Sequence, residues 1–333
     1  MSDHMLPLGK LPADLLADLL SRLPTDPRVV VGPRIGEDAA VIDMGERYLV
    51  AKTDPITFAT DAIGWYAVQV NANDLATTGA IPRWFMATVL LPGGQADRAL
   101  AERIFTQITS ACAALGITLI GGHTEITYGL ERPIVAGFML GEVEKDRLVT
   151  TGGAQIGDVI LLTKGIPIEA TAIIAREKRA ELLQRLDPAL VDRAAEYLTR
   201  PGISVVPDAQ AACTAGGVTS MHDPTEGGLA TALWEVAEAS GRALHLDVET
   251  WPLCQEGARL CALYGLDPLG AIASGALLLT VRPEAEAGVR AALQKAGIPV
   301  FRLGQVAAGP AAVLHRGVAL PRPARDEIAR LFD

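Results

Sequence analysis

Acidic side chains recur in this sequence at points where strand-like segments run out into loops. Buried carboxylates that a fold brings together repel one another unless cations or basic partners compensate them. Mg²⁺ is the hard cation that suits carboxylate oxygens, and it commonly bridges them to phosphate oxygens. The pattern therefore predicts a site for a metal-bound phosphate. The acidic residues are Glu37 and Asp38 in IGEDAA, Asp54 in AKTDP, Asp74 in NANDLATTGA, Glu125 in GGHTE and Asp223 in MHDPTEGG.

Two glycine pairs supply the other half of such a site. Gly121 and Gly122 would let backbone N–H groups approach a phosphate closely. Gly227 and Gly228 open a helix, whose N-terminus favours an anion. The sequence contains neither GxxxxGK(S/T) nor GxGxxG after a strand. Taken singly, an aspartate before a helix, such as Asp74, is more often an N-cap, and a glycine pair is more often a turn.

Strand-like and helix-like segments alternate along the chain of 333 residues. The apolar patterns predict strands at 39–44, 47–53, 84–91 and 133–143, helices at 64–78 and 96–115, and a loop over 24–40. The segment ITLIGGHTE predicts a strand that runs into a glycine turn. The glycine-rich segment at 150–158 resembles a linker, and the pattern restarts beyond it. We expect an α/β or α+β fold with two domains, 1–152 and 153–333.

Composition excludes several classes of protein. The net charge of −10 and the pI of about 5.1 argue against a non-specific binder of nucleic acid or of anionic membranes. The four cysteines form no CxxC pair, which favours reduced thiols over disulfides or a zinc site. The N-terminal segment carries Asp14 and Asp18 within its apolar pattern and predicts an amphipathic helix, not a signal peptide. No stretch is long and apolar enough to span a bilayer, so we expect a cytoplasmic protein.

The motifs, in their order, resemble those of the aminoimidazole ribonucleotide synthetase (PurM-like) superfamily. This superfamily includes thiamine-monophosphate kinase, selenophosphate synthetase and the hydrogenase maturation factor HypE. IGEDAAVI is similar to its GDDAAVI loop, AKTDPITF to its strand ending in TD, VNANDLATTGAIP to VNDLAxxGAxP, and LIGGHTEI to its GGxT turn. HDPTEGGLATAL is similar to the DPTRGG segment of HypE, the member closest in its motifs. The resemblance extends from about Arg34 to Val281.

The resemblance implies a fold, an assembly and a set of ligands. In such proteins two N-terminal domains pair in a homodimer and form a shared β-barrel, and the C-terminal domain is α/β. ATP lies in a groove between the domains, where acidic residues hold Mg²⁺. Carried over by position, the metal candidates are Asp38, Asp54, Asp74 and Asp223, and the nucleotide candidates are Asn73, Gly121, Gly122 and Thr124. His123 and Glu125 fall where family members vary.

Three further candidates follow from their sequence neighbours. Lys164 stands after a strand and before a helix, so it either reaches a phosphate or is a solvated loop lysine. His222 and Asp223 are the catalytic candidates, with His222 as a general base because an unperturbed histidine titrates near pH 6.5. A single histidine is nevertheless more often structural. Thr225 either contacts the nucleotide or, with Asp223, caps the helix that follows.

The chain also departs from the members it resembles. HypE ends in Pro-Arg-Ile-Cys, whereas this sequence ends in ARLFD, so we do not expect thiocyanate formation in the HypE manner. An N-terminal cysteine, as in selenophosphate synthetase, is missing. We expect a Mg²⁺-dependent, ATP-binding enzyme that activates a small acceptor by phosphoryl transfer. The alternatives are a kinase like thiamine-monophosphate kinase, and a non-catalytic nucleotide-binding scaffold with a partner protein in hydrogenase maturation.

Overall fold

The structure is a computed structural model that describes residue 6 and residues 11–24, 26–33, 37–57 and 61–332. Its described part contains two mixed β-sheets with helices packed against them. The first sheet consists of β1 (Val29–Val31), β2 (Ala40–Asp43), β3 (Arg47–Ile56), β4 (Ile81–Pro92), β5 (Thr118–Thr127) and β6 (Ile134–Glu144). The second consists of β7 (Val159–Thr163), β8 (Val218–His222), β9 (Ala243–Leu246), β10 (Leu278–Val281), β11 (Val300–Ala307), β12 (Ala312–His315) and β13 (Val318–Ala319).

Ten α-helices lie in the described part of the chain. They are α1 (Ala13–Leu20), α2 (Ile63–Thr77), α3 (Arg98–Leu115), α4 (Ile168–Glu177), α5 (Arg179–Leu182), α6 (Pro188–Glu196), α7 (Val206–Ala215), α8 (Gly228–Ser240), α9 (Gln255–Tyr264) and α10 (Glu286–Lys295). None of them has the length and apolarity that a membrane crossing requires.

The strand order of the first sheet is β1-β2-β3-β6-β4-β5, and only the β4–β5 pair is parallel. Helices α2 and α3 pack together, and α2 also packs against β3 and β6. The side chain of Asp97 accepts a hydrogen bond from Leu100 N at the start of α3, and Gly116 ends this helix in a left-handed conformation. Helix α2 is buried along almost its whole length, because it also packs against α7.

The strand order of the second sheet is β13-β12-β9-β11-β7-β10-β8, with β9 and β12 as its parallel pair. One apolar core extends from the first sheet to the second, since it contains Val50 of β3, Val206 of α7 and Leu279 of β10. This shared core fixes the end of β8 against the loop that precedes β2. The end of β8 and the loop before β2 both carry predicted metal ligands, so the packing of the two sheets determines whether these ligands meet.

The mixed α/β architecture predicted from the sequence is confirmed, and two local expectations are wrong. A strand, β1, lies inside the segment expected to be a loop, where it pairs with β2. Strand β5 does not turn at Gly121 and Gly122 but continues to Thr127. Glycine fits there because a Cβ atom on Gly122 would lie 2.1 Å from the carbonyl oxygen of Ala87 on β4. The boundary at residue 152 stays a prediction.

Candidate functional site

Asp38, His222 and Asp223 meet where the end of β8 approaches the loop before β2. One ligand atom from each side chain lies within 4.8 Å of the other two. His222 is 4% exposed and Asp223 is 1% exposed, and both are held by their position at the end of β8. Asp38 and His222 are 184 residues apart in sequence. The cluster therefore exists only because the two sheets are packed together.

Both ring nitrogens of His222 are engaged by carboxylates. Its Nδ1 lies 2.9 Å from Asp38 Oδ2, and its Nε2 lies 2.8 Å from Oε2 of Glu235 on α8. Burial alone would lower the pKa of His222, but the charges and hydrogen bonds of Asp38 and Glu235 raise it well above its usual value. Protonated, the ring donates to both acids and has no nitrogen left to accept a proton. This geometry favours a fixed positive charge over the general base that the sequence suggested.

Asp223 is the unsatisfied member of the cluster. Neither of its carboxyl oxygens has a hydrogen-bond partner among the described residues. Burial, together with the neighbouring charge of Asp38, raises the pKa of Asp223 to about 7. Buried polar groups almost always have a partner, and an unpaired one is costly. An orphaned carboxyl group beside Asp38 therefore fits an oxygen-ligated cation, and Mg²⁺ prefers such ligands.

Asp54 and Asp74 lie in a second group, which Lys52 joins. The Lys52 Nζ atom is 2.9 Å from Asp74 Oδ2 and 3.3 Å from Asp54 Oδ2. Burial alone would lower the pKa of Lys52, but the charges of Asp74 and Asp54 raise it above its usual value. Lys52 was not among the site residues predicted from the sequence. Its signal was the spacing of two from Asp54, which places both side chains on one face of β3.

Asn71 fixes the backbone at Asp54 and was also missed. Its side chain accepts a hydrogen bond from Asp54 N at 2.9 Å and donates one to Asp54 O at 3.3 Å. A third bond, to Ala67 O at 2.8 Å, holds the amide within α2. The amide therefore sets the position of the β3 end that presents Asp54. Asn71 falls in the VNANDLA segment, so its proximity to the predicted ligands was the available signal.

Gly121, Gly122 and Thr124 lie away from the carboxylates within one chain. Cross-strand pairing runs from Asp54 through Gly137 and Ala87 to Gly122. Three strand spacings separate the two ends of this row, which amounts to about 14 Å. The prediction that these residues join Asp54 in one nucleotide site is therefore not supported by the geometry of a single chain.

Asn73, predicted to contact the nucleotide, instead ties α2 to the segment before α7. Its side-chain amide donates to Ile203 O at 2.7 Å and accepts from Val205 N at 2.8 Å. The residue is fully buried. Both of these bonds cross between the parts of the chain that form the two sheets. The structure thus gives Asn73 a positioning role.

Lys164 is neither a solvated loop lysine nor free to bind a phosphate. Its side chain is 8% exposed, and its Nζ atom lies 2.8 Å from Oδ2 of the fully buried Asp208 on α7. The same Nζ donates to Ser204 O at 2.6 Å and to Gly275 O at 3.0 Å. The ammonium group therefore makes two hydrogen bonds and a buried ion pair within the protein. The proposed phosphate contact is corrected to a structural ion pair.

Thr225 lies in the loop between β8 and α8 and is half-buried. Its backbone carbonyl accepts a hydrogen bond from Gly228 N at 2.9 Å. The N-cap position of α8 is Gly227 in the left-handed conformation, and its backbone N–H donates to Asp326 Oδ2 at 2.6 Å. The capping alternative for Asp223 and Thr225 is therefore not observed. Thr225 remains next to the cluster in sequence, and its nucleotide contact stays a prediction.

Comparison with known proteins places the chain among relatives of this architecture. Residues 36–143 match the family "AIR synthase related protein, N-terminal domain", and residues 155–316 match "AIR synthase related protein, C-terminal domain". The carbamoyl dehydratase HypE of Rhodobacter capsulatus is 30% identical over 295 residues, which cover 86% of this chain and 82% of that protein. The chain belongs to the AIR synthase related protein family. The resemblance found in its motifs is thereby confirmed.

Other members differ in their named activities. The selenide, water dikinase of Aeromonas salmonicida is 30% identical over 325 residues, covering 87% of this chain and 89% of that protein. A crystal structure of hydrogenase maturation protein HypE in complex with ATP has a TM-score of 0.73 at 24% identity and covers 97% of this chain and 98% of that one. At this identity the structural likeness shows the shared two-domain fold. As a member of this family, the chain is an enzyme.

Proposed function

We propose that this AIR synthase related protein is a Mg²⁺-dependent, ATP-binding enzyme that activates a small acceptor by phosphoryl transfer. The observation that carries the proposal is the orphaned, buried carboxyl group of Asp223 beside Asp38. The HypE structure in complex with ATP and the similarity to a selenide, water dikinase support ATP as the nucleotide.

Asp38 and Asp223 are the residues that would hold Mg²⁺. When bound, the ion would supply charge neutralisation for the phosphate oxygens, which is the main requirement of phosphoryl transfer. His222 donates to Asp38 and so keeps that carboxyl group ionised and oriented. Burial raises the pKa of Asp38, but the charge and hydrogen bond of His222 lower it below its usual value. The chain therefore presents an ionised ligand at neutral pH.

The acceptor is a separate molecule and not a cysteine of the described chain. Burial raises the pKa values of all four thiols, so none is a thiolate near neutral pH. These pKa values are about 11 for Cys112 and Cys213 and about 12 for Cys254 and Cys261. Two relatives at the same 30% identity carry different named activities. Overall similarity therefore leaves the identity of the acceptor open.

We also propose a homodimer that forms along β5. This strand ends the sheet, pairs only with β4 within the described part of the chain, and has nearly all its residues exposed. Ile120 is 49% exposed and Ile126 is 63% exposed. Beside them, a cavity of about 320 Å³ is lined by apolar side chains that include Phe105 and Leu119. An exposed apolar edge strand can pair with a strand of another chain, and the two-fold dimer is the commonest homo-oligomer.

Calorimetric titration with ATP tests the nucleotide and the metal together. We expect binding in Mg²⁺ that is at least about tenfold tighter than in EDTA, which corresponds to about 1.4 kcal/mol. Asp223→Asn keeps the shape of the side chain and should remove this difference. Asp43→Asn, at an exposed surface pair with Lys145, is the matched control and should retain it. Equal affinity in Mg²⁺ and EDTA for the wild-type protein contradicts the proposal.

Turnover separates an enzyme from a scaffold once binding is shown. Release of phosphate from ATP is measured with panels of neutral, amine-bearing and phosphorylated small molecules. An acceptor-dependent rate that Asp223→Asn abolishes is the expected result. Tight ATP binding without turnover for any acceptor would favour the non-catalytic scaffold.

A further inference from the structure

The carboxylate cluster comprises the first group, with Asp38 and Asp223, and the second group, with Asp54 and Asp74. We propose that the ammonium group of Lys52 takes the place of a second cation in this cluster, so that each nucleotide-free chain holds one divalent cation, at Asp38 and Asp223. The inference rests on the metal site of the proposed function. It assigns a role to a residue that neither the motifs nor the family resemblance singled out.

The position of Lys52 is that of a shared counter-ion. Its Nζ atom contacts one oxygen of Asp74 and one of Asp54, at 2.9 and 3.3 Å. The side chain of Asp74 is 5% exposed and that of Lys52 is 22% exposed, so water screens this pair weakly, whereas Asp54 is 37% exposed. Without the lysine, two carboxylates would face each other across the same small volume. Such a pair is the usual ligand set for a divalent cation.

A divalent ion and the Lys52 ammonium group cannot occupy this position together. Mg²⁺ binds carboxylate oxygens at about 2.0–2.1 Å, inside the space that the ammonium group fills. The positive charges would also repel one another at that distance. Lys52 therefore forms ion pairs with Asp54 and Asp74 and excludes a metal from between them.

In the described part of the chain, the other half of the cluster has no cation that contacts both of its acids. His222 donates to Asp38, but both oxygens of Asp223 have no partner among the described residues. Asp223 is 1% exposed and lies with Asp38 and His222 inside one group of candidate ligand atoms. Asp54 and Asp74 thus share one built-in cation, whereas His222 pairs with Asp38 and Asp223 retains an unpartnered carboxyl group. The arrangement predicts a single metal position.

An exposed lysine pair elsewhere in the same sheet shows the contrast and supplies the control. Lys145 Nζ lies 2.7 Å from Asp43 Oδ2, but the two side chains are 40% and 34% exposed. A surface pair of this kind contributes little and touches no second acid of the cluster. Lys145→Met therefore removes the same charge next to the same sheet, at the residue that follows β6, without altering the site.

The test counts Mn²⁺ ions bound to nucleotide-free protein by electron paramagnetic resonance, with magnesium competition to confirm a shared site. We expect one ion on the wild-type chain and on Lys145→Met. Lys52→Met removes the ammonium group at nearly constant volume and should bind two ions. The double variant Lys52→Met/Asp54→Asn removes one ligand of the new site and should return to one ion. Circular dichroism establishes that each variant is folded.

Each count decides the inference. Two ions on the wild-type protein, or one ion on folded Lys52→Met, would overturn the role of Lys52 while leaving the Asp38–Asp223 metal site standing. No ion on any variant would overturn this inference, whereas the metal dependence of the proposed function is decided separately by the titration with ATP in Mg²⁺ and in EDTA. The wild-type count alone distinguishes one position from two even if Lys52→Met does not fold.

Discussion

Replacing Glu169 by glutamine should make the protein more stable, and increasingly so as the pH rises. Glu169 is the second residue of α4, is 5% exposed, and has one carboxyl oxygen without a hydrogen-bond partner among the described residues. Burial raises its pKa to about 8 against the opposing hydrogen bond of Ser274, and the carboxylates of Glu226 and Asp326 raise it further. The folded protein therefore holds this proton at pH values where the unfolded chain has lost it.

The sign and size of the effect follow from this difference in pKa. Below the ordinary value of 4.5 both states are protonated, so Glu169 imposes no charge penalty. Between pH 4.5 and about 8 the free energy of unfolding falls as pH rises, because the folded state binds more protons than the unfolded state. At about 1.4 kcal/mol for each pH unit, the total reaches about 5 kcal/mol as a ceiling. Above pH 8 the penalty is constant.

Urea unfolding between pH 4.5 and 9 measures this penalty as the difference in the free energy of unfolding between Glu169→Gln and the wild-type protein. Groups that titrate alike in both proteins cancel in this difference. Glu169→Gln should match the wild-type protein near pH 4.5 and exceed it by several kcal/mol at pH 8. Glu177→Gln, at the exposed end of the same helix, should follow the wild-type curve. If the free energies of unfolding of Glu169→Gln and the wild-type protein changed in parallel from pH 4.5 to 9, the reasoning would be refuted.

Two further predictions concern the ion pair of Lys164 and the edge strand β5. Lys164→Met leaves Asp208 charged and buried, so urea unfolding should show a free energy of unfolding that is lower by about 3–5 kcal/mol. Adding Asp208→Asn to this variant should recover a part of the loss. A loss below about 1 kcal/mol contradicts a structural ion pair. Light scattering should give twice the 35.0 kDa chain mass for the wild-type protein and one chain mass for Ile126→Lys. A wild-type monomer would contradict pairing through β5.

The sequence predicted elements whose signals are local. Helix α3 was placed by its apolar spacing and by Gly116, and it ends at Leu115 as expected. Asp38 and Asp223 were grouped from motifs, and the structure brings them together. Gly121 and Gly122 were expected to form a turn because glycine pairs usually do. Whether a glycine turns the chain or admits a neighbouring strand depends on tertiary contacts, here those with Ala87 of β4.

Partners that are distant in sequence could not be predicted in the same way. Glu235 reaches His222 only because α8 packs beside β8, and the sequence offers no motif for that contact. Lys164 was considered from its neighbours in the chain, although its decisive partner, Asp208, lies on α7. A lysine before a helix is compatible with a phosphate contact and with an ion pair. Burial decides between them, and burial is a property of the fold.

Asn73 connects the stability of the fold with the geometry of the site. The carboxylates on Asp38, Asp54 and Asp74 come from the part of the chain that forms the first sheet, whereas Asp223 follows a strand of the second. A buried amide is tolerated only when its hydrogen bonds are made, and both bonds of Asn73 are to the segment before α7. Sliding of α2 along α7 would break both bonds inside the apolar core. The same contact therefore opposes any movement that would separate Asp74 from Asp223, so the residue once assigned to the nucleotide acts by holding the acidic residues of the two sheets in register.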